Sequence, residues 1–372
     1  MMKHFDVIIL GGGPAGSATA LALLQYGYSV LIIERSHYED WRVGETLPPH
    51  ACRPLAALDV WDLFLQERHL PSPATYAAWG AADLYPTHFI FNPYGHAWHL
   101  DRSRFDAMLA LSAESAGAIL LQGARVISAF YADLSWQLSI HSGDQPLQLE
   151  ASFLVDATGR VGWLARSLNR KRIVCDTMQA LIGVLTTQEA NLVPEPVLYL
   201  EAVEDGWWYS APVPDGSLIV TYITDRDYLP GSSPTRFWHD QLERTAHTLA
   251  RCEGFQMGGE RDDKVSVKSA STYILERPAG ESWLAVGDAA CTYDPLSSEG
   301  ITKALRSALR AAETIHASFH GDVEALNSYV VETAREFDDY LAQRVQYYCQ
   351  ETRWPASRFW MRRQAVYPLP QP

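Results

Sequence analysis

The sequence predicts an α/β fold, a Rossmann-like dinucleotide-binding domain that carries an inserted antiparallel β-sheet domain. Three observations lead there. A glycine-rich turn joins a strand to a helix within the first 16 residues. Two later apolar strands stop at Asp156 and at Gly287-Asp288 in turns of a similar kind. Between those strands lie short apolar stretches with a strong hairpin signal at Asp215-Gly216.

Val7 to Leu10 form a short run of β-formers, as a strand buried on both faces requires. The run stops at Gly11-Gly12-Gly13-Pro14-Ala15-Gly16, Ala15 to Gln25 read as a helix, and Tyr28 to Ile33 form a second strand ending in Glu34. Strand, G-x-G-x-x-G, helix, strand and acid within about thirty residues is the context of a dinucleotide fingerprint. Gly11 permits the tight turn, Gly13 lets the backbone approach a pyrophosphate, and Gly16 lets the helix pack on the strand. The pyrophosphate belongs at the helix N-terminus, and Glu34 is placed to accept hydrogen bonds from a ribose.

Phe153 to Arg160 (FLVDATGR) reads as a strand ending in an Asp-Ala-Thr-Gly turn. Trp283 to Gly287 is another strand, and a helix opens near Gly300 with Ile301, Ala304, Leu305, Ala308, Ala312 and Ile315 on one face. Asp288 suits a ribityl hydroxyl, and the helix start at Gly300 and Ile301 suits the pyrimidine edge of a flavin. The expected dinucleotide is therefore FAD. Val197 to Leu200, Trp207 to Val213 and Ser217 to Thr224 read as antiparallel strands. His88 to Asn92 alternates, which puts Phe89 and Phe91 on a shared face, and Val323, Leu326, Val330, Phe337 and Leu341 mark a long amphipathic helix.

Composition excludes several function classes. A formal charge of −14 argues against a nucleic-acid partner, since phosphate binding needs clustered positive surface. Five scattered cysteines fit thiols in a reducing cytoplasm better than a disulfide frame. No cysteine–histidine spacing suggests a metal site; His316 and His320 share a helix face but lack a third ligand. The uncharged stretch from Val7 to Leu24 is interrupted by Gly11–Pro14 and lacks a cleavage site, so neither a membrane span nor a secretion signal is expected.

Beyond the fingerprint, RSRFDAML (Arg102 to Leu109), VDATGR and the Gly-Asp segment resemble the para-hydroxybenzoate hydroxylase superfamily of flavoproteins, which includes the flavin-dependent halogenases. The resemblance implies an FAD-binding domain of the glutathione reductase type. It also implies cofactor contacts at Ala15, Arg35, Arg42, Arg102, Val126 and Pro295, with a helix-surface salt bridge as the alternative role for Arg102. RVGETLPP (Arg42 to Pro49), GWWYSAPVP (Gly206 to Pro214) and DPLSSEGI (Asp294 to Ile301) are more similar to the halogenase branch than to simple phenol hydroxylases. Three departures argue against halogenation: no lysine stands between Lys3 and Lys171, Glu299 would repel a halide, and the W-x-W-x-I-P box of the halogenases stands here as Trp207-Trp208-Tyr209-Ser210-Ala211-Pro212. NPYGHAWHLDRSRFD (Asn92 to Asp106) with DPLSSEGI resembles the maturase flavoproteins of tryptophylquinone enzymes. That likeness implies a monooxygenase acting on a tryptophan within the precursor of a quinone-cofactor oxidase, with a separate flavin reductase as a possible partner. A hydroxylase of a free or carrier-bound aromatic molecule, and a flavin-bearing assembly factor without catalysis, stay open.

The expected organisation is a discontinuous FAD-binding domain (1–75, 101–175 and 268–345), a β-rich substrate domain (76–100 and 176–267) and a C-terminal extension (346–372) that covers the site or binds a partner. Glu45, His50 and Glu299 are the candidates for proton transfer, with a turn cap as the other reading of Glu45. Trp79, Trp98, Trp207 and Trp208 offer stacking surfaces for an aromatic substrate, or else ordinary core.

Overall fold

The protein is described here from a computed structural model that covers residues 3–365 apart from 144, 190–191, 232 and 259–263. The strand Lys3–Leu10 lies at the centre of the first sheet. Val30–Ile33 and Gln145–Asp156 flank it, and Ile119–Leu121 and Trp283–Ala285 extend the array, all in parallel. Ile8, Ile9, Ile32 and Val155 are fully buried, because the parallel sheet is covered on both faces. One cover is the helix Pro14–Gln25, whose Gly16, Ala18, Ala20 and Ala22 let it lie close to the strand. It packs on the helices Arg102–Ser115 and Gly300–Phe319. The other cover is the antiparallel ribbon Ala124–Ala132 and Ser135–Ser142, which buries Trp136, Leu138 and Ile140.

Parallel strands end together. Leu10 is in register with Ile33 and Asp156, and Asp156 with Ala285. The turns at Gly11–Gly16, Glu34, Asp156–Gly159 and Gly287–Asp288 therefore meet along one edge, where open α/β sheets take their ligands. Asp156 fixes one of these turns by accepting hydrogen bonds from the Thr158, Leu164 and Ala165 backbone N–H groups.

Above that edge stands the second sheet. Its order is Gln256–Met257, Met178–Thr186, Leu218–Asp225, Gly206–Pro212, Leu198–Val203, Ala74–Ala78 and Tyr85–His88, with Ser266–Ser269 also paired to Met178–Thr186. The hairpin at Asp215-Gly216 closes with Gly216 at a φ of 87°. Strand alternation separates two layers. Trp207 packs with Ile182, Ile219 and Ile223 on one side, while Trp208 packs with Leu181, Tyr222 and Trp238 on the other.

Several boundaries differ from the sequence reading. The second sheet begins at Ala74, two residues before the expected boundary, and it holds Ser266–Ser269, which straddles residue 268. The strand expected at His88–Asn92 ends at His88. There the chain turns, with Asn92 N–H bonded to the Phe89 carbonyl, so Phe91 is left 94% exposed and shares no covered face with Phe89. The strand Ala97–His99 belongs to a small sheet with Thr46–Leu47 and Leu70–Ser72. The long helix runs over Ala325–Cys349 and leaves Val323 outside it and exposed. No described residue of the tail lines the cavity: its helix Arg358–Gln364 buries Phe359 and Trp360 on the same face of the second sheet as Trp207, against Trp79 and Tyr348, pinned by Arg362 and Arg363 to Asp225. Residues 366–372 lie outside the described residues.

Candidate active site

A cavity of about 350 Å³ opens between the carboxyl edge of the parallel sheet and the inner face of the second sheet. Its floor comes from Gly13, Pro14, Ala15, Ala157, Gly159, Arg160 and Asp288. Its roof comes from Ala180, Ile182, Leu198, Leu200, Trp207, Tyr209 and Ile223. Between them stand Gly44, Glu45 and Arg102 on one side and the loop Asp294–Ile301 on the other, with Asp294, Pro295, Ser298, Glu299, Gly300 and Ile301 at the wall.

The floor has the form of a dinucleotide cradle. A Cβ added to Gly13 or to Gly300 would meet no atom within 4 Å, so at each of these two helix starts the backbone faces open space. Gly11 and Gly16 are different. A Cβ on Gly16 would sit 1.9 Å from the Gly11 carbonyl, and one on Gly11 would sit 2.5 Å from the Ala157 carbonyl. The helix can touch the strand only because both lack side chains.

Residues 4–343 match the family described as FAD binding domain. The chain belongs to the FAD-binding domain family. It is an FAD-dependent oxidoreductase, and it shares 29% identity over 370 residues with a chain named FAD-dependent oxidoreductase LodB of Marinomonas mediterranea, covering 98% of each. Among solved structures it is similar to the flavin-dependent halogenase CmlS (26% identity, TM-score 0.84, 99% of this chain and 69% of that one). It is also similar to the peptidyl tryptophan dihydroxylase QhpG, described as essential for tryptophylquinone cofactor biogenesis (25% identity, TM-score 0.80, 97% and 79%). No helix among the described residues is long and apolar enough to cross a membrane, and no group of three or more metal-ligating side chains occurs among them.

The residues expected to hold the cofactor are not all at the cavity. Gly13, Ala15, Arg102, Asp288, Pro295, Gly300 and Ile301 line the cavity. Glu34 is buried beside the fingerprint turn, where its carboxylate accepts from Gly12 N–H at 2.7 Å and from Ser36 N–H at 2.9 Å. Arg42 and Arg102 share the buried carboxylate of Asp106, at 2.8 and 3.1 Å, and Arg102 also donates to the Val43 and Gly44 carbonyls. Arg102 is thus ion-paired on its own helix and faces the cavity as well. Arg35 is exposed, and Val126 packs on the far cover of the sheet, so neither lines the cavity.

The proton-transfer candidates separate likewise. Glu45 is 3% exposed, accepts from Gly44 N–H at 2.9 Å and lines the cavity beside Arg102. Burial pushes its carboxyl above the usual range, against hydrogen bonds from the Gly44 backbone and the Tyr209 side chain. Burial, together with the Glu45 charge, raises the Tyr209 phenol well above its usual value. His50 does not line the cavity; it is half-exposed with its Nε2 2.9 Å from Oε1 of Glu299, which does, while Glu299 Oε2 is buried without a partner. The site thus has a buried acid pair, Glu45 with Tyr209, and a second pair, His50 with Glu299.

Of the four tryptophans only Trp207 lines the cavity. Trp208 lies on the opposite face, stacked on Tyr222 at 4.8 Å, as its place one residue along the strand requires. Trp79 is buried against Tyr348 and Trp360 with its N–H on the Tyr347 carbonyl, and Trp98 packs against Phe64 and His96. All three are core. Tyr209, Arg160, Tyr293 and Lys268 are among the cavity residues that sequence reasoning did not select. Tyr209 had a signal, because it stands two residues after Trp207 on the same face of one strand.

Proposed function

We propose that this FAD-dependent enzyme is a monooxygenase that oxygenates a tryptophan side chain of a partner polypeptide, the precursor of a quinone-cofactor oxidase. The observation that carries this reading is the Glu45–Tyr209 pair, buried inside a cavity with an aromatic and aliphatic roof. The likeness to the peptidyl tryptophan dihydroxylase QhpG supports it. Reduced flavin supplies, with O₂, the oxygen atom that an electron-rich ring accepts.

The chain's own residues do the rest. Trp207, Leu200, Ile182 and Ile223 exclude water and present an apolar face to the ring. Glu45 takes the proton that leaves as the oxygenated ring regains aromaticity, and Tyr209 orients that carboxylate through its hydroxyl. The raised affinity of Glu45 for a proton brings a buried carboxyl toward the range a general base needs. Glu299, paired with His50, bounds the loop side of the cavity. A separate reductase is the proposed source of electrons.

The test is mass spectrometry of the candidate precursor co-expressed with the wild-type flavoprotein or with its Gly13→Val variant. Oxygen added to a single tryptophan only with the wild type supports the reading. An untouched precursor, together with turnover of a free aromatic compound, replaces it with small-molecule hydroxylation.

Halogenation is the second reading. The likeness to CmlS favours it, and so does Lys268, which the second sheet brings to the cavity wall. Glu299 argues against it, since its unpartnered carboxylate oxygen stands in the wall and repels a halide. Supplying reduced FAD, O₂ and bromide with indole decides between the readings: a brominated product formed at turnover rates favours halogenation.

A further inference from the structure

The helix Gly300–Phe319 turns an apolar face inward, with Ile301, Ala304, Leu305 and Ala308 all buried, yet Lys303 is buried among them at 3% exposure. Among the described residues it is the only buried lysine. Its ammonium donates to Asp288 Oδ1 at 2.7 Å and to the Cys291 carbonyl, and it lies 4.8 Å from the centre of the Tyr293 ring. Lys303 does not itself line the cavity, whereas Asp288 and Tyr293 do. Arg160 Nε stands 3.6 Å from the second carboxylate oxygen, with Arg160 and Asp288 each about one-third exposed. The cavity floor therefore holds one carboxylate between two cations, one deep and one at the surface.

We propose that Lys303 is a positioning residue for the flavin: it holds Asp288 as an ionised acceptor aimed into the cofactor cavity and leaves a net positive charge beneath the cofactor. A buried ammonium without its carboxylate is costly, and so is the reverse, so each fixes the other in place. Once Lys303 occupies Asp288 Oδ1, the other oxygen is left for Arg160 and for a polyol hydroxyl of the cofactor. The residual positive charge favours the cofactor's phosphates and the negative charge that the flavin gains on reduction.

The charged and titratable groups that face Asp288 come from five segments. They are Lys303, Arg160, Arg102, Tyr273, whose hydroxyl donates to the Asp288 carbonyl at 2.7 Å, and Cys291. Burial alone would push the Asp288 carboxyl up, but Lys303, Arg160 and Arg102 outweigh burial and hold it below the usual range. Burial raises the Tyr273 phenol and the Cys291 thiol, so neither titrates near neutrality. Asp288 therefore adds no pH dependence to flavin binding by the wild type from pH 5 to 8. Without Lys303 it does.

The experiment reads the Kd for FAD by flavin fluorescence at pH 5, 6, 7 and 8 in wild type, Lys303→Met, Asp288→Asn and the double variant Asp288→Asn/Lys303→Met. Lys303→Met is expected to bind at least tenfold more weakly, with an affinity that changes across this range as Asp288 titrates. The double variant, which has no unpaired buried charge, is expected to regain the wild-type profile at reduced affinity. If Lys303→Met fails to fold while the double variant folds and binds with the wild-type profile, the pairing is supported. The proposal is overturned if Lys303→Met stays within twofold of wild type at every pH. It is also overturned if the double variant keeps the pH dependence of the single one, or if neither folds.

Discussion

Trp207 donates its indole N–H to the Tyr348 hydroxyl at 3.0 Å, and that hydroxyl donates in turn to Asp294 at 2.8 Å. Asp294 also receives Arg344 at 3.0 Å, and its own N–H is bonded to Tyr340. One tyrosine of the long helix Ala325–Cys349 thus ties the roof of the cavity to the loop that carries Glu299.

Replacing Tyr348 with phenylalanine removes a hydroxyl that serves both ends. Trp207 N–H is left without a partner in a buried site, and Asp294 keeps only its other bonds. The expected cost is about 2–3 kcal/mol in urea denaturation. Turnover should fall further than stability explains, because loop and roof no longer share an anchor. Unchanged kinetics in a folded variant would remove Tyr348 from the account of the site.

The two glycines of the fingerprint turn should fail in different ways. Gly16→Val drives a side chain into the Gly11 carbonyl, so the protein should not reach its native circular dichroism. A Cβ at Gly13 meets no protein atom within 4 Å, so in Gly13→Val the fold and melting behaviour should persist while FAD affinity falls by about a hundredfold or more, because the backbone can no longer approach the pyrophosphate. Yellow Gly13→Val protein would contradict the placement of the cofactor.

Glu45 connects stability to pH with a definite sign. Burial raises its carboxyl, so the folded state holds a proton that the unfolded state has already released. Stability contributed by the protonated form is complete below the unfolded value and is lost as pH rises through the folded one. Glu45→Gln should therefore show a flatter stability curve on that limb and melt higher than wild type at pH 8. Its turnover should drop by roughly 10²–10⁴-fold if the carboxylate is the general base. A variant that is less stable at pH 8 and fully active would refute both roles.

Neighbouring tryptophans should separate substrate effects from packing effects. Trp208→Phe should lower stability by about 1–3 kcal/mol through lost stacking on Tyr222 and Trp238, with KM unchanged. Trp207→Phe should change KM, since its ring is part of the cavity wall. Steady-state kinetics beside chemical denaturation distinguishes the two, and equal KM values in both variants would place the substrate elsewhere.

Much of this was legible in the chain. The G-x-G-x-x-G turn, Glu34, Asp156 and Asp288 each end an apolar run, and a parallel sheet brings such ends together. Strand alternation in Gly206–Pro212 was also readable, and it forbids Trp207 and Trp208 from facing the same cavity. Other features were beyond local pattern. Trp79 and Trp98 are core because of packing from Tyr348, Trp360, Phe64 and His96, most of them far away in sequence. No spacing singles out Lys303 on its amphipathic helix, and only the fold sets it behind Asp288. Lys268 reaches the cavity from a strand that pairs with Ala180 and its neighbours, a pairing that no spacing announces.

The parallel register also sets an order in time. Lys3–Leu10 leaves the ribosome before Trp283–Ala285, yet the edge it helps form is not complete until Trp283–Ala285 has paired with Gln145–Asp156. At synthesis rates of about 5–20 residues per second, some 270 residues separate those events by tens of seconds. During that interval the fingerprint turn exists without its opposite bank, so the nascent chain cannot yet retain a flavin. Acquisition of the yellow colour is thus a clock for completion of the chain, and a protein truncated before residue 300 would run without ever striking.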